Sequence, residues 1–199
     1  MREFRRGFIK NLRYFFLICV IALGFLTIVG TTATITDDTT AEDTEPDILY
    51  VPSEYSTIER ALYAAEEGDT IEIAAGTYNE QDLEVFGGLT IEGESAESTI
   101  IRGFGNDDIL RNSYYSDTTK AIVIKRVTIE NGDKGIYLAN HILELTDCIV
   151  QNNNRSGIYL YESVATISNC EIARNSGDGI HGGTVTILNS VIKDNTGDG

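Results

Sequence analysis

Four segments of the chain repeat one another without a gap, and this repetition constrains the fold more than any other feature. The segments are residues 126–135, 148–157, 170–179 and 190–199, whose starts lie 22, 22 and 20 residues apart. Each has an asparagine at its sixth position and a glycine at its tenth. A period of this size is typical of a solenoid, in which each repeat is one layer that buries its apolar face against the next.

The apolar residues around each repeat alternate with polar ones, as they do in short β-strands. Leu143 and Leu145 precede the second repeat, and Ile136 and Leu138 follow the glycine of the first. Short strands gain stability by pairing with their copies, since parallel strands stack about 4.8 Å apart. A layer of 20–22 residues is too short to include a crossover helix. The sequence therefore predicts an all-β coil of short parallel strands joined by turns.

The repeated asparagines are predicted to form a ladder through the stacked layers. Side-chain amides at one phase can hydrogen-bond from layer to layer and satisfy backbone groups in the turns. Asparagine also tolerates tight turns, but four copies at one phase favour the ladder. The repeated glycine is predicted to adopt a positive φ before the next strand. The predicted ladder consists of Asn131, Asn153, Asn175 and Asn195.

A short amphipathic helix is predicted before the first strand of the coil. Ser56 and Glu59 form a capping box, and Gly68 stands where a C-terminal cap belongs. A helix here would close the open end of the coil and cover its strand edge. Its apolar stripe consists of Ile58, Ala61, Leu62 and Ala65.

The chain resembles a known family of β-solenoids. The Asn-x-x-x-Gly-Ile repeat, as in residues 175–180, and the segments 51–58, 68–73, 76–78 and 89–93 are similar to right-handed parallel β-helix proteins of the pectin-lyase-like superfamily. The resemblance implies a right-handed parallel β-helix over residues 48–199. Because Gly199 stands one residue before the next expected core strand, we expect the coil to be incomplete at its C-terminal end.

The first 47 residues differ in composition from the repeats. Residues 1–33 combine a basic start, an uncharged run of 17 residues and small residues, which fits a cleaved signal peptide and an N-terminal membrane anchor equally well. Residues 34–47 form an acidic, Thr-rich linker. Both interpretations predict an extracytoplasmic protein, either secreted or anchored to the cell membrane by its N-terminus.

The charge balance restricts the partners. Residues 1–33 hold five basic residues and one acidic residue, so the remainder carries a net charge of −20, against −16 for the whole chain. Such a surface repels nucleic acid and other polyanions unless cations bridge them. We therefore expect a polysaccharide or a cell-surface partner, contact with the membrane through the N-terminal segment, and no nucleic acid.

Enzymes of this superfamily carry motifs that the sequence lacks. It contains no Gly-His-Gly, Arg-Ile-Lys, Trp-Ile-Asp-His or Gln-Asp-Thr. Asp107 and Asp108 form a carboxylate pair, and such pairs act at glycosidic bonds, but adjacent residues of a strand point to opposite faces. We interpret the pair as a solvated turn and predict no catalytic residue in this segment.

No metal site is predicted, because the two histidines fall in different coils and no Cys/His cluster has metal spacing. Calcium is conceivable only at the acidic turn residues Asp178, Asp194 and Asp198, and no other cofactor is expected. Cys148 and Cys170 share one repeat position, so stacking places their Cα atoms within disulfide range. The same position holds Arg126 and Ser190, which favours free, packed thiols.

One outward column offers candidate ligand-binding residues. With the isoleucines after each glycine pointing inward, Tyr137, Tyr159 and His181 point outward at one phase, and Tyr161 flanks them. Aromatic faces stack on sugar rings, and tyrosine hydroxyls form hydrogen bonds. Outward tyrosine is also a favoured strand residue that covers its neighbours, so the column fits a structural role as well.

Three functions follow from these features. The preferred one is a secreted or membrane-tethered β-helix module that binds surface glycans or partner proteins without catalysis in this segment. An alternative is the N-terminal part of a polysaccharide lyase, hydrolase or epimerase whose catalytic residues lie beyond residue 199. Resemblance to the periplasmic β-helix proteins of the nitrous oxide reductase system implies a third, metal delivery, which the lack of a His/Met/Cys cluster disfavours.

Overall fold

A computed structural model describes residues 45–113 and 117–197 of the chain. The predicted signal peptide or anchor, residues 1–33, and most of the predicted linker, residues 34–47, lie outside this part. None of the helices in the described residues is long and apolar enough to cross a membrane.

The described residues form one helix, α1 (Ile58–Ala64), and sixteen strands. In chain order the strands are β1 (Ile48–Val51), β2 (Thr70–Ile73), β3 (Gly76–Asn79), β4 (Leu83–Val85), β5 (Thr90–Gly93), β6 (Thr99–Arg102), β7 (Leu110–Asn112), β8 (Ala121–Lys125), β9 (Thr128–Glu130), β10 (Ile136–Ala139), β11 (Ile142–Thr146), β12 (Ile149–Gln151), β13 (Ile158–Ser168), β14 (Glu171–Ala173), β15 (Ile180–Leu188) and β16 (Val191–Lys193).

The strands stack into a parallel β-solenoid of about six turns, which confirms the predicted fold class. The first face contains β1, β2, β5, β8, β11 and the second halves of β13 and β15; the second face contains β3, β6, β9, β12, β14 and β16. The third face contains β4, β7, β10 and the first halves of β13 and β15. Every pairing is parallel, so each coil lies on the one before it.

Aliphatic residues of successive coils stack in register and fill the interior. On the first face one such column runs from β2 to β15, and its members are fully buried until the last coil. There Ile187 is 45% exposed, whereas its neighbour Ile167 is 0% exposed. Burial of each such side chain contributes about 1.5–3 kcal/mol. The column consists of Ile71, Ile91, Ile124, Leu145, Ile167 and Ile187.

The N-terminal helix is present, but its caps differ from those predicted. Thr57, not Ser56, is the N-cap, and its hydroxyl accepts from Arg60 N at 3.2 Å. The Glu80 carboxylate, from the first full coil, accepts from the two backbone N–H groups that follow the cap. The helix ends with Ala65 as its C-cap rather than Gly68. Helix α1 packs against β1, β2 and β4 with its apolar stripe buried, as predicted for a cap.

Asparagines of three successive coils form a hydrogen-bonded ladder, in which Asn153 and Asn175 are fully buried and Asn195 is partly buried. Asn153 Nδ2 donates to Asn175 Oδ1 at 2.9 Å, and Asn175 Nδ2 donates to Asn195 Oδ1 at the same distance. Each acceptor oxygen also accepts a hydrogen bond from the backbone N–H of the asparagine in the coil before it. Asn175 Nδ2 reaches the Val150 carbonyl as well, at 3.3 Å. One amide therefore satisfies turn groups of its neighbouring coil and links two layers.

Asn131 is not part of this ladder. The strand pairing shifts the first repeat by one residue relative to an ungapped comparison of the repeats. The pairing of β9 with β12 aligns Glu130 with Gln151, and continuing it places Gly132, not Asn131, beside Asn153. Gly132 N accordingly donates to Asn153 Oδ1. Asn131 instead adopts φ 66° and donates from its side chain to Gly103 O. It occupies the turn position at which the later repeats also have a positive φ.

The repeated glycine is required by packing between layers, and the prediction of a positive φ there is wrong. Positive φ values fall elsewhere in these turns, as at Asn152 and Arg174. A Cβ on Gly157 would lie 2.7 Å from Asn175 Nδ2 and 2.9 Å from Gly179 O. The three repeat glycines within the described residues, Gly135, Gly157 and Gly179, thus leave the space that the ladder amide of the following coil occupies.

Cys148 and Cys170 are buried free thiols. Cys148 N donates to Cys170 Sγ at 3.4 Å, and Cys170 Sγ donates to Ser168 O at 3.1 Å. Ser190 repeats this pattern in the next coil, with Cys170 N as its donor. Burial raises the pKa of the Cys148 thiol well above its usual range. The cysteines therefore fill a structural corner position that serine also fills.

We expect Asn175→Leu to destabilise the fold by about 3 kcal/mol. The change removes the acceptor for two Asn153 donors and the donor to Val150 O, and each buried unsatisfied group costs about 1–3 kcal/mol. Urea unfolding measures the effect. Asn154→Ala is the matched control, because Asn154 is exposed and its side chain donates to Gly105 O rather than to the ladder. Equal effects of the two substitutions would contradict the ladder's role.

We expect Gly157→Ala to cost about 1–3 kcal/mol, because its methyl group overlaps the ladder amide and a carbonyl of the next coil. Gly76→Ala serves as the control, since a Cβ there makes only ordinary contact with the Tyr78 ring at 3.4 Å. It should be neutral or slightly stabilising in the same unfolding measurement. A neutral Gly157→Ala would show that a steric explanation of the glycine column is incorrect.

Candidate functional site

The predicted aromatic residues lie together on the third face. Pairing of β10 with β13, and of β13 with β15, places Tyr137, Tyr159 and His181 at one register position. Ile136, Ile158 and Leu138 point inward and are buried, so the alternation of the strands turns the three aromatic side chains outward. The column continues to the preceding coil through Arg111.

The three rings stack face to face along the coil axis. The ring centroids of Tyr137 and Tyr159 are 5.6 Å apart with 23° between their planes, and those of Tyr159 and His181 are 4.7 Å apart with 16°. Offset stacking of this kind stabilises neighbouring rings by about 0.5–1.5 kcal/mol beyond their buried area. Tyr159 is therefore covered by an aromatic ring on both faces, whereas Tyr137 and His181 are each covered by a stacked ring on one face.

Charged side chains border the stack at the turn before the third face. Lys134 Nζ lies 5.5 Å from the Tyr137 centroid and 5.8 Å from that of Tyr159, and it pairs with Asp108 at 3.0 Å and Asp133 at 3.3 Å. Burial alone would lower the pKa of Lys134, but the hydrogen bonds and charges of the two aspartates raise it overall. The ammonium therefore stays charged and fixes the turn beside the two tyrosines.

The histidine at the end of the stack has its own acidic partner. His181 Nδ1 and Asp178 Oδ2 are 2.5 Å apart, and the histidine side chain is 50% exposed. Asp178 precedes the glycine of the third repeat, so the turn that supplies the ladder also orients the ring. Asp178 was predicted only as a conceivable calcium ligand.

Tyr161 differs from the other three aromatic residues because its neighbours in the column are small. Its partner in the coil before is Ala139. In the coil after, the strand pairing breaks beyond Leu160 and Gly182, and Gly183 alone stands opposite residues 161–163. Within the described residues Tyr161 has no stacked ring, and it is 53% exposed. Its aromatic face is therefore open to solvent.

The glycines beside Tyr161 explain the shorter third interval of the repeat. Gly182 and Gly183 have φ values of 73° and 72°, and this tight corner replaces the longer one around Glu162. In-register pairing resumes at once, with Val164 beside Thr184. The corner therefore loses two residues without disturbing the strands on either side.

The other predicted polar residues make turn contacts. Asp108 binds Lys134, and Asp107 accepts from Gln81 at 2.8 Å. Among residues 45–113 and 117–197 no group of three or more His, Cys, Asp or Glu side chains could hold a metal ion. Asp194 lies at a turn with φ 56°, and Asp198 lies outside the described residues.

Two open grooves of about 420 and 480 Å³ lie away from the aromatic column. The first is lined by Tyr50, Glu72, Glu92, Glu94 and Arg126, among others. Arg126 crosses it, bonding to the Glu92 carboxylate at 2.6 Å and to Gly93 O at 2.9 Å. The second borders the corner that contains the two cysteines.

Sequence reasoning did not single out Lys134 or Arg111 as parts of the site. Lys134 stands before a repeat glycine where the later repeats have Ser156 and Asp178, so this break in the repeat was its one available signal. Arg111 lies outside the four repeats, and its place in the column follows only from the strand pairing.

Residues 112–199 match a family model described as "Right handed beta helix region". The matched range covers the four repeats and all four aromatic residues of the candidate site. No curated protein and no solved structure matches the chain significantly. The match identifies an architecture and carries no information about a ligand or a reaction.

We expect Tyr159→Leu to shift the ring-proton resonances of His181 downfield, because the stacked tyrosine ring shields them. A two-dimensional NMR spectrum of the histidine ring protons measures the effect. His141, which is 4% exposed and in another corner, is the internal reference. Tyr161→Leu is the matched control and should leave His181 unchanged. Unchanged His181 resonances in Tyr159→Leu would contradict the stacking.

Proposed function

We propose that the chain, whose residues 112–199 match the right-handed β-helix family model, acts as a non-catalytic module that binds surface glycans or partner proteins through the third face. The open ring of Tyr161 carries this proposal. A half-exposed aromatic ring flanked by Ala139 and glycines presents a flat apolar face at a defined height on a rigid coil. Such faces suit the apolar side of a sugar ring, which favours a glycan over a protein partner.

The neighbouring stack adds hydrogen-bonding groups to this platform. Tyr159 lies two residues before Tyr161 on the same strand, so the two side chains leave the same face about 7 Å apart. The hydroxyl groups of Tyr137 and Tyr159 can each donate and accept a hydrogen bond. A glycan whose ring stacks on Tyr161 then has polar partners for its hydroxyls beside it. The stack also holds these groups in place before binding, which lowers the entropic cost of ordering them.

Catalysis is not part of the proposal. The titratable groups nearest the platform make ion pairs within the protein: Lys134 pairs with two aspartates and His181 with Asp178. The basic, apolar N-terminal segment supports an extracytoplasmic location, where surface glycans are accessible. A signal peptide and a membrane anchor both fit this part of the proposal.

A glycan array tests the proposal directly. We expect the purified full-length chain to bind a subset of glycans and Tyr161→Ala to weaken that binding about tenfold, since a lost stacking contact is worth about 1 kcal/mol or more. Tyr63→Ala is the matched control, because Tyr63 is 82% exposed on helix α1 at the N-terminal end of the coil, remote from Tyr161. Binding that survives Tyr161→Ala, or no binding to any glycan, would refute the proposed site.

A further inference from the structure

We propose that the glycan bound at Tyr161 is uncharged, rather than a uronate or sulfated polymer. This inference rests on the proposed function and adds a ligand class to it. It depends on how the cations of the third face are distributed. A site for an anionic sugar needs a cation whose charge is available to the ligand, placed within a few ångströms of the bound ring.

The positive charge of Lys134, which lies beside the stack, is neutralised by two carboxylates. Its ammonium pairs with Asp108 at 3.0 Å and with Asp133 at 3.3 Å, and its side chain is only 16% exposed. The two carboxylates together exceed its charge by one unit. A carboxylate on a sugar would have to displace an aspartate that is already in contact, and it would gain little by the exchange.

The two arginines of this region also have acidic partners, although both are more exposed than Lys134. Arg111, which continues the aromatic column, contacts Asp82 and lies 2.7 Å from Glu84. Arg155, in the equivalent turn of the next coil, is 70% exposed and contacts the Asp133 carboxylate at 3.3 Å. Asp133 therefore serves two cations, and removing its charge would release both of them in part.

The remaining charges near the platform are negative. Glu162 follows Tyr161 directly and is exposed, and Asp178 lies at the end of the stack. The chain as a whole carries −16, so the long-range field also opposes a polyanion. Polar contacts at the site come instead from neutral tyrosine hydroxyls. Together these features fit a ligand that binds by ring stacking and neutral hydrogen bonds.

The first test sorts the glycan-array signals by charge, using uncharged, uronate, sulfated and amino-sugar oligomers of similar length. We expect the Tyr161-dependent signals to fall in the uncharged set. Their affinity should stay constant between low salt and about 0.5 M NaCl, because no ion pair with the ligand is made. Tyr161-dependent signals dominated by charged oligomers would overturn the inference and leave the proposed function standing. Absence of all binding would refute the proposed function itself.

The second test removes an aspartate charge that pairs with the cations near the stack. We expect Asp133→Asn to create affinity for galacturonate hexamers at low salt, raising it about fivefold over the parent chain, the equivalent of about 1 kcal/mol for one added ion pair near the surface. The gain should vanish at about 0.5 M NaCl. Asp117→Asn, an exposed aspartate outside the third face, changes the net charge equally and is the control.

Circular dichroism checks that both variants fold. Asp82→Asn, which leaves Arg111 with Glu84 alone and so releases its charge in part, provides a second version of the same experiment. An equal response of Asp133→Asn and Asp117→Asn, or no gain in either Asp133→Asn or Asp82→Asn, would contradict the argument from paired cations.

Discussion

The structure depends on how backbone N–H groups are satisfied at the corners of the coil, where the strand ladders are interrupted. In the coil of residues 136–157 a side chain from the following coil accepts such a group at each of the three corners, so this coil is complete only when its successor is stacked in register. An unsatisfied buried N–H costs about 1–3 kcal/mol. A coil stacked out of register would therefore lose stability at its corners as well as in its strand pairing. The donor and acceptor pairs are His141 with Ser163, Cys148 with Cys170, and Asn153 with Asn175.

This dependence explains why the fold could be predicted from the sequence while parts of the repeat could not. Alternating aliphatic residues and asparagines at one phase are visible along the chain, and they predicted the coil and the stacked core. Asn131 was misplaced because one turn is a residue shorter, a shift that an ungapped comparison cannot detect. The glycine column was misinterpreted because its cause, the amide of the next coil, lies about one full turn away in sequence. Local propensity describes the conformation of a residue's own backbone. In a solenoid, the choice of residue also depends on its contacts with the layers before and after it.

The candidate site divides in the same way. The outward phase of Tyr137, Tyr159 and His181 follows from strand alternation, so their position on one face was predictable. The difference between a covered ring and an open one was not, because it depends on the partner of each ring in the adjacent coils. Tyr159 has an aromatic residue on both sides, and Tyr161 has Ala139 on one side and a shortened corner on the other.

At the corner after Tyr161, the shape of the surface can change without a change in the strand pairing that stabilises the coil. Two residues are absent there in the following coil, yet the core strands before and after it keep their pairing, Ile158 with Ile180 and Val164 with Thr184. Chain length at this position can therefore change while the hydrogen-bonded layers stay as they are. Insertions and deletions at one edge of a rigid coil would alter which aromatic faces are open, so such a protein can acquire a new recognition surface without a new fold.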